Sequence, residues 1–193
     1  MSLLKFEKKN PIILYGYNNE ILLENDLVHP MNSNSDSSGI RIKGWDLNQN
    51  FIFKLRYKFH KSSNEWNTLI GTIKDYEFYL ESNTDNRSIA FRVGNGTNWL
   101  KDTYFSAGKA FVEDVIYDIK IEKSSTTFKI YHGEISETIA QIGETTVTGT
   151  LADMTNSFPM LGRSHLSHYP IAGSWWTSVG GIYLSKTFVK ITT

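Results

Sequence analysis

The stretch from Asp114 to His132, DVIYDIKIEKSSTTFKIYH, constrains this chain more than any other. Val115, Tyr117, Ile119 and Ile121 alternate with Ile116, Asp118, Lys120 and Glu122, and a period of two puts one set on a buried sheet face and the other near water. After the polar turn Lys123-Ser124-Ser125, Phe128 and Ile130 alternate with Thr127, Lys129 and Tyr131, so a second strand returns beside the first. The inward set, Val115, Tyr117, Ile119, Ile121, Phe128 and Ile130, is expected in the core.

The same period recurs along the chain. Phe51, Phe53, Leu55, Tyr57 and Phe59 form one face of a strand, and Ile52, Lys54, Arg56, Lys58 and His60 form the other. That second row is basic, as expected for a solvated strand face that uses lysine against edge pairing, with a binding surface as the alternative. Thr68 to Thr72, Tyr76 to Glu81 and Ser88 to Val93 read as three more strands, the last two joined by the turn-rich Ser82-Asn83-Thr84-Asp85-Asn86. Gly94 to Trp99 reads as a loop. Later segments are Glu137 to Ile142, Thr145 to Val147, Pro159 to Arg163, Gly180 to Ser185 and Thr187 to Ile191. About a dozen short strands with turns every 8 to 12 residues, and no sustained helical period, predict an all-β protein. So many antiparallel strands stack as two sheets or close as a barrel, because a single open sheet leaves an apolar face wet.

A chain of 193 residues is long enough for one β-sandwich domain with a sizeable core. Residues 39–191 are expected to form its body, and residues 1–38, which end in the polar run from Asn32 to Gly39, a less regular strand or attachment arm. Lys and Arg number 20 against 20 Asp and Glu, which gives no net field to attract nucleic acid or an anionic membrane. There is no cysteine, hence no disulfide, no thiolate nucleophile and no Cys-based zinc site. The N-terminus lacks a signal-peptide apolar core, and no run is long enough to cross a bilayer as a helix, so cytoplasmic synthesis without membrane insertion is expected.

In order, FIFKLRYKF (51–59), Leu69-Ile70-Gly71, Phe78 to Glu81 and IAFRVGNG (89–96) resemble the first half of a concanavalin A-like lectin/glucanase domain, also called laminin-G-like. Tyr117 to Ile121 with Thr126 to Gly133 is similar to that family's hairpin. Leu161-Gly162-Arg163 and Gly181 to Ile191 are similar to its closing strands. The resemblance implies a two-sheet antiparallel jelly-roll sandwich that binds sugars on a sheet face or rim loops. In the form seen here it resembles domains of bacteriophage virion proteins (head fibre, tail or baseplate). It therefore implies a virion location, with host-surface polysaccharide or glycan and other virion proteins as partners, and a homo-oligomer. The family's Glu-x-Asp-x-x-Glu catalytic strand is missing. Glu77 and Glu81, read as i and i+4 on one strand, stand about 13 Å apart by strand rise, beyond the ~5 to 9.5 Å of glycosidase pairs.

Sugar recognition needs an aromatic plate for the ring and amides or carboxylates for its hydroxyls. The candidates are Trp66, Asn95, Asn98, Trp99, His168, Tyr169, Trp175 and Trp176, all in or beside polar loops. Each tryptophan reads equally as a lid on the end of the core. His165 and His168 lack an acidic third ligand nearby, so no metal site is assigned. Calcium is compatible with the family, but no ligand motif is present, and no cofactor is expected. No nucleophile elbow, phosphate loop or His-Glu-x-x-His occurs. The leading expectation is a non-enzymatic carbohydrate-binding or virion-decorating domain. The alternatives are a purely structural oligomerisation or docking subunit, and a glycoside hydrolase or lyase.

Overall fold

The computed structural model describes residues 14–16, 23–24, 27–28, 40–42, 45–60, 66–72, 76–83, 87–154, 159–161, 179–183 and 186–192. Its strands are β1 (Leu14–Gly16), β2 (Leu23–Glu24), β3 (Leu27–Val28), β4 (Ile40–Ile42), β5 (Phe51–Phe59), β6 (Trp66–Gly71), β7 (Phe78–Asn83) and β8 (Ser88–Gly94). They continue with β9 (Trp99–Ser106), β10 (Ile116–Ser124), β11 (Thr127–Glu134), β12 (Ala140–Thr146), β13 (Met160–Leu161), β14 (Val179–Tyr183) and β15 (Phe188–Ile191). One sheet runs β1-β4-β13-β6-β7-β8-β9, and the other runs β12-β11-β10-β5-β14-β3-β2 with β15 also on β5. Every pairing is antiparallel. The all-β class expected from strand period is found, and so is the two-sheet antiparallel jelly-roll sandwich that the resemblance implies.

β5 lies at the centre of the larger sheet. Its one edge is matched along its length by β10, while β14 and β15 divide the other between its two ends. Alternation decides its faces: Phe51, Phe53, Leu55, Tyr57 and Phe59 are all buried, and the residues between them are partly open. Trp45 stacks on Phe53 (5.1 Å between centroids) and meets Phe51 and Phe78 edge-on at 5.0 and 5.4 Å. Phe91 of β8 lies 5.1 Å from Phe128 of β11, so aromatic contacts tie the two sheets together. Five of the six expected core residues of the ribbon are buried, and Val115 packs partly buried against them. Val115 falls short because β10 begins at Ile116, after a turn in which Asp114 adopts φ 64°.

The basic row on β5 needs a different explanation from edge protection, because β5 is a central strand. β10 brings carboxylates opposite it. Arg56 grips Asp118 with two hydrogen bonds of 2.7 and 2.8 Å, Lys54 reaches the same carboxylate at 2.9 Å, and Lys58 pairs with Asp114 at 2.6 Å. Burial opposes the charged form of Asp118. The Arg56 and Lys54 hydrogen bonds and charges outweigh it and hold that carboxyl below its ordinary range.

Several strands differ from the sequence expectation: β3 is not foreseen, and β6 begins at Trp66, read from sequence as a loop residue. Glu137–Ile142 and Thr145–Val147 resolve into the single β12, bulged against β11 near Ile130. β9 was not anticipated, since its Lys101, Asp102 and Thr103 break the apolar alternation that marks a half-buried strand. β9 and β12 close one side of the sandwich: a Cβ on Gly143 would come within 1.9 Å of the Phe105 ring, so only glycine permits that approach.

At the far end of β11, His132 is buried. It shares a 3.0 Å hydrogen bond with the Tyr57 hydroxyl and stacks on Tyr117 at 5.2 Å. Burial lowers its pKa to about 4, against a smaller upward pull from Asp118.

Two outcomes are expected. Phe53→Ala loses about 3 to 5 kcal/mol of stability in urea titration, because it opens a cavity beneath Trp45. For His132 the folded pKa lies below the unfolded value near 6.5, so the unfolded chain takes up the proton first as pH falls. Its contribution is full above about pH 6.5 and declines toward pH 4 by up to roughly 3 kcal/mol. His132→Gln removes that part of the dependence, as unfolding titrations across this range will show.

Candidate functional site

The outer face of the seven-stranded sheet carries an unusual set of side chains. Strand register places Thr68, Glu81, Ala90 and Tyr104 in one row across β6 to β9, and Tyr79, Arg92 and Asp102 in the next. Phe78, Leu80, Ile89, Phe91 and Val93 point the other way into the core. An outward row on a sheet normally meets water, yet Glu81 is only 1% exposed and Arg92 only 7%.

Arg92 organises the group. Its Nη1 donates to Glu81 Oε2 at 2.5 Å, its Nε to Asp102 Oδ1 at 3.1 Å, and its Nη2 to the Tyr104 hydroxyl at 3.1 Å. Thr68 Oγ1 donates to the other Glu81 oxygen at 3.4 Å. Ala90, between Glu81 and Tyr104 in the register, is small enough for the guanidinium to pass diagonally across the strands. The network runs from buried Glu81 outward to Asp102 and to Tyr104, which is 52% exposed. Such charges are tolerable out of water only because they neutralise one another through directed hydrogen bonds. At its exposed margin the group presents the oxygens of Asp102 and Tyr104, acceptors suited to hydroxyl donors.

At the end of this face lies the loop of residues 95–98. Asn95 Oδ1 accepts from the Thr97 amide, the Thr97 hydroxyl and the Asn98 amide at 2.8 to 2.9 Å. That oxygen shapes the turn. Gly94 beneath it has no room for a side chain: a Cβ would lie 2.2 Å from the Tyr76 carbonyl oxygen and 2.5 Å from that of Asn98. Trp99 leaves the loop half-buried, its ring 5.4 Å from Tyr76 and 5.6 Å from Tyr79.

The sequence candidates are therefore divided. Asn95, Asn98 and Trp99 share the loop at the Gly94 end of β8. Trp66, whose strand position alone is described, is opposite Asn83 at the Ser88 end of β8, about 20 Å away by strand rise. His168, Tyr169, Trp175 and Trp176 lie outside the described residues. Glu77 lies one residue before β7, next to Tyr76 at φ 59°, and its carbonyl accepts from the Gly94 amide at 2.9 Å, continuing the ladder with β8. Sequence reading passes over Arg92, Asp102 and Tyr104 and weighs Glu81 only as a glycosidase carboxylate beside Glu77. The available signal was a charged residue at alternate positions inside otherwise apolar strands, Glu81 in FYLESN and Arg92 in SIAFRVG.

Among the described residues, no three His, Asp or Glu side chains converge as a metal-binding group. No helix among them is long and apolar enough to cross a membrane.

No family model matches the chain, and no curated protein matches it. Solved structures do. The carbohydrate-binding module of the Ruminococcus gnavus IT-sialidase superposes with TM-score 0.51 at 14% identity, covering 80% of this chain and 91% of that one. A carbohydrate-binding module from Bacillus subtilis gives 0.51 at 9% identity, covering 79% and 81%. A heptameric SAP-like pentraxin from Limulus polyphemus gives 0.52 at 12%, covering 79% and 70%. The chain has the lectin-like jelly-roll fold. At these identities the likeness is one of fold, and function has to be argued from the site itself.

Removing the guanidinium takes its 2.5 Å ion pair away from the buried Glu81. Arg92→Met is expected to cost about 3 to 5 kcal/mol, and the Glu81→Gln, Arg92→Met double variant less than the sum of the two single variants. Urea denaturation of the four proteins of this cycle measures the coupling.

Proposed function

We propose that this chain is a non-enzymatic carbohydrate-binding domain that takes a glycan on the outer face of the seven-stranded sheet, over Tyr104. The observation that carries this reading is the Arg92 network, which rises from buried Glu81 to an exposed aromatic ring. Tyr104 offers a plate for the apolar face of a pyranose. Asp102 and Arg92 beside it supply an acceptor and donors whose positions are already held, so little ordering is lost on binding. Trp99, with Tyr76, extends the aromatic surface at the Gly94 end. Two of the three neighbours named above are carbohydrate-binding modules, which supports the reading. Both nearby carboxylates are engaged by one arginine, an arrangement for holding hydroxyls rather than for acid and nucleophile roles. The finer proposal, that the glycan belongs to a host surface and the chain to a bacteriophage particle, rests on the strand-motif resemblance.

Screening the folded chain on a glycan array tests the reading directly. Binding to a discrete set of glycans is expected, weakened about tenfold or more by Tyr104→Ala in a protein that remains folded. Failure to bind any glycan, or binding indifferent to Tyr104→Ala and Asp102→Asn, would overturn it.

A further inference from the structure

A second site is built at one end of the sandwich, among the loops of residues 46–50, 124–127 and 147–151. It begins with a break in pattern. On β10, Tyr117, Ile119 and Ile121 face the core, and the next position on that face is Lys123. An apolar side chain is expected there. The lysine is 5% exposed, and its Nζ donates to the Asn48 and Gln49 carbonyls at 3.4 and 3.2 Å and lies 5.8 Å from the Phe128 ring. Those contacts occupy two of its three donors. It forms no ion pair among the described residues. Burial outweighs the upward pull on its pKa from Asp46, in the loop of residues 46–50, and an ammonium buried without a counter-charge in contact costs several kcal/mol.

Beside it is a cavity of about 220 Å³, lined by Lys123, Asn48, Ser125, Thr126 and Phe128 and by Val147, Gly149 and Leu151. Its walls are cross-tied. Asn48 exchanges hydrogen bonds with both backbone groups of Leu151, the Ser125 amide donates to Asn50 Oδ1 at 2.7 Å, and the Val147 amide donates to the Thr126 carbonyl at 2.8 Å. The pocket is thus pre-formed. It offers one cation, two hydroxyl side chains and an apolar wall, and it is smaller than the ~300 Å³ at which drug-sized sites begin.

We propose that this pocket binds a small hydroxylated organic carboxylate. The acid group would sit at Lys123 Nζ, the hydroxyls at Ser125 and Thr126, and the carbon skeleton against Phe128, Val147 and Leu151. The occupant supplies a counter-charge in contact with Nζ, where among the described residues only Asp46 acts on the lysine, without an ion-pair contact. Burial lowers the pKa of Lys123, and a bound carboxylate would raise it again. The pocket shares no residue with the Arg92 network, so the two readings stand or fall separately.

The test is an amide NMR titration of the isotope-labelled chain with D-glucuronate, with D-glucose as the neutral analogue and inorganic phosphate as the non-carboxylate anion. Saturable shifts at Ser125, Thr126 and Leu151 are expected with glucuronate, and none with glucose. Affinity for phosphate should be weaker, and Lys123→Gln should reduce that for glucuronate about tenfold or more. Lys123→Gln keeps a donor for the Asn48 and Gln49 carbonyls, and Lys123→Met is a second charge-free variant should the first fold poorly. No saturable shift, an equal response to glucose or to phosphate, or a response that survives in either folded variant overturns the proposal. In that event Lys123 serves only to cap two carbonyls.

Discussion

The structure depends on the pairing of one central strand with segments far away in sequence. β5 cannot bury Phe51, Phe53, Leu55, Tyr57 and Phe59 by itself. It does so because β10 covers one edge and β14 and β15 the other, while β6 to β8 close over the aromatic face. Apolar burial at roughly 25 cal/mol per Å² drives this assembly, and the backbone hydrogen bonds of the ladders make it geometrically permissible. The loop that carries Asn48 leads into β5 and Lys123 lies near the end of β10, so their positions follow from the core.

The two sheets treat their outer faces differently. On the larger one, Lys54 and Arg56 meet Asp118, Lys58 meets Asp114, and Lys120 contacts Glu122 while lying 3.8 Å from the Tyr131 ring centroid. Charges there are matched strand by strand. On the smaller sheet, charge is gathered about one arginine with carboxylates on both sides and a half-exposed tyrosine at its margin. A matched ladder leaves little for a ligand to gain, whereas a concentrated network beside an aromatic plate provides fixed partners. This contrast is why the glycan reading is assigned to the smaller sheet.

Much of the scaffold was legible in the residues, and much less of the site. Period-two alternation located β5, β8, β10 and β11 because each buries one face in an apolar core. It failed for β9, whose faces mix Lys101, Asp102, Thr103 and Tyr104, and with β9 the outer half of the candidate site was missed. Loop tryptophans attracted attention through their size and chemistry. Sequence has no measure of distance across a sheet, so Trp66 and Trp99 seemed equivalent although they lie at opposite ends of β8. Lys123 passed as a turn residue, since nothing local shows that the core alternation continues through it.

By itself the sequence determined that the chain is all-β, in two stacked sheets or a barrel, and which face of each strongly alternating strand turns inward. Those properties follow from side-chain period and hydrophobicity, which are local. Only the tertiary structure decided that Glu81, Arg92, Asp102 and Tyr104 form one network and that Lys123 is a buried cation at a pocket wall. Both depend on register between strands and on the approach of loops up to about a hundred residues apart, as between Asn48 and Leu151. Such relations are set by the packing of the whole core.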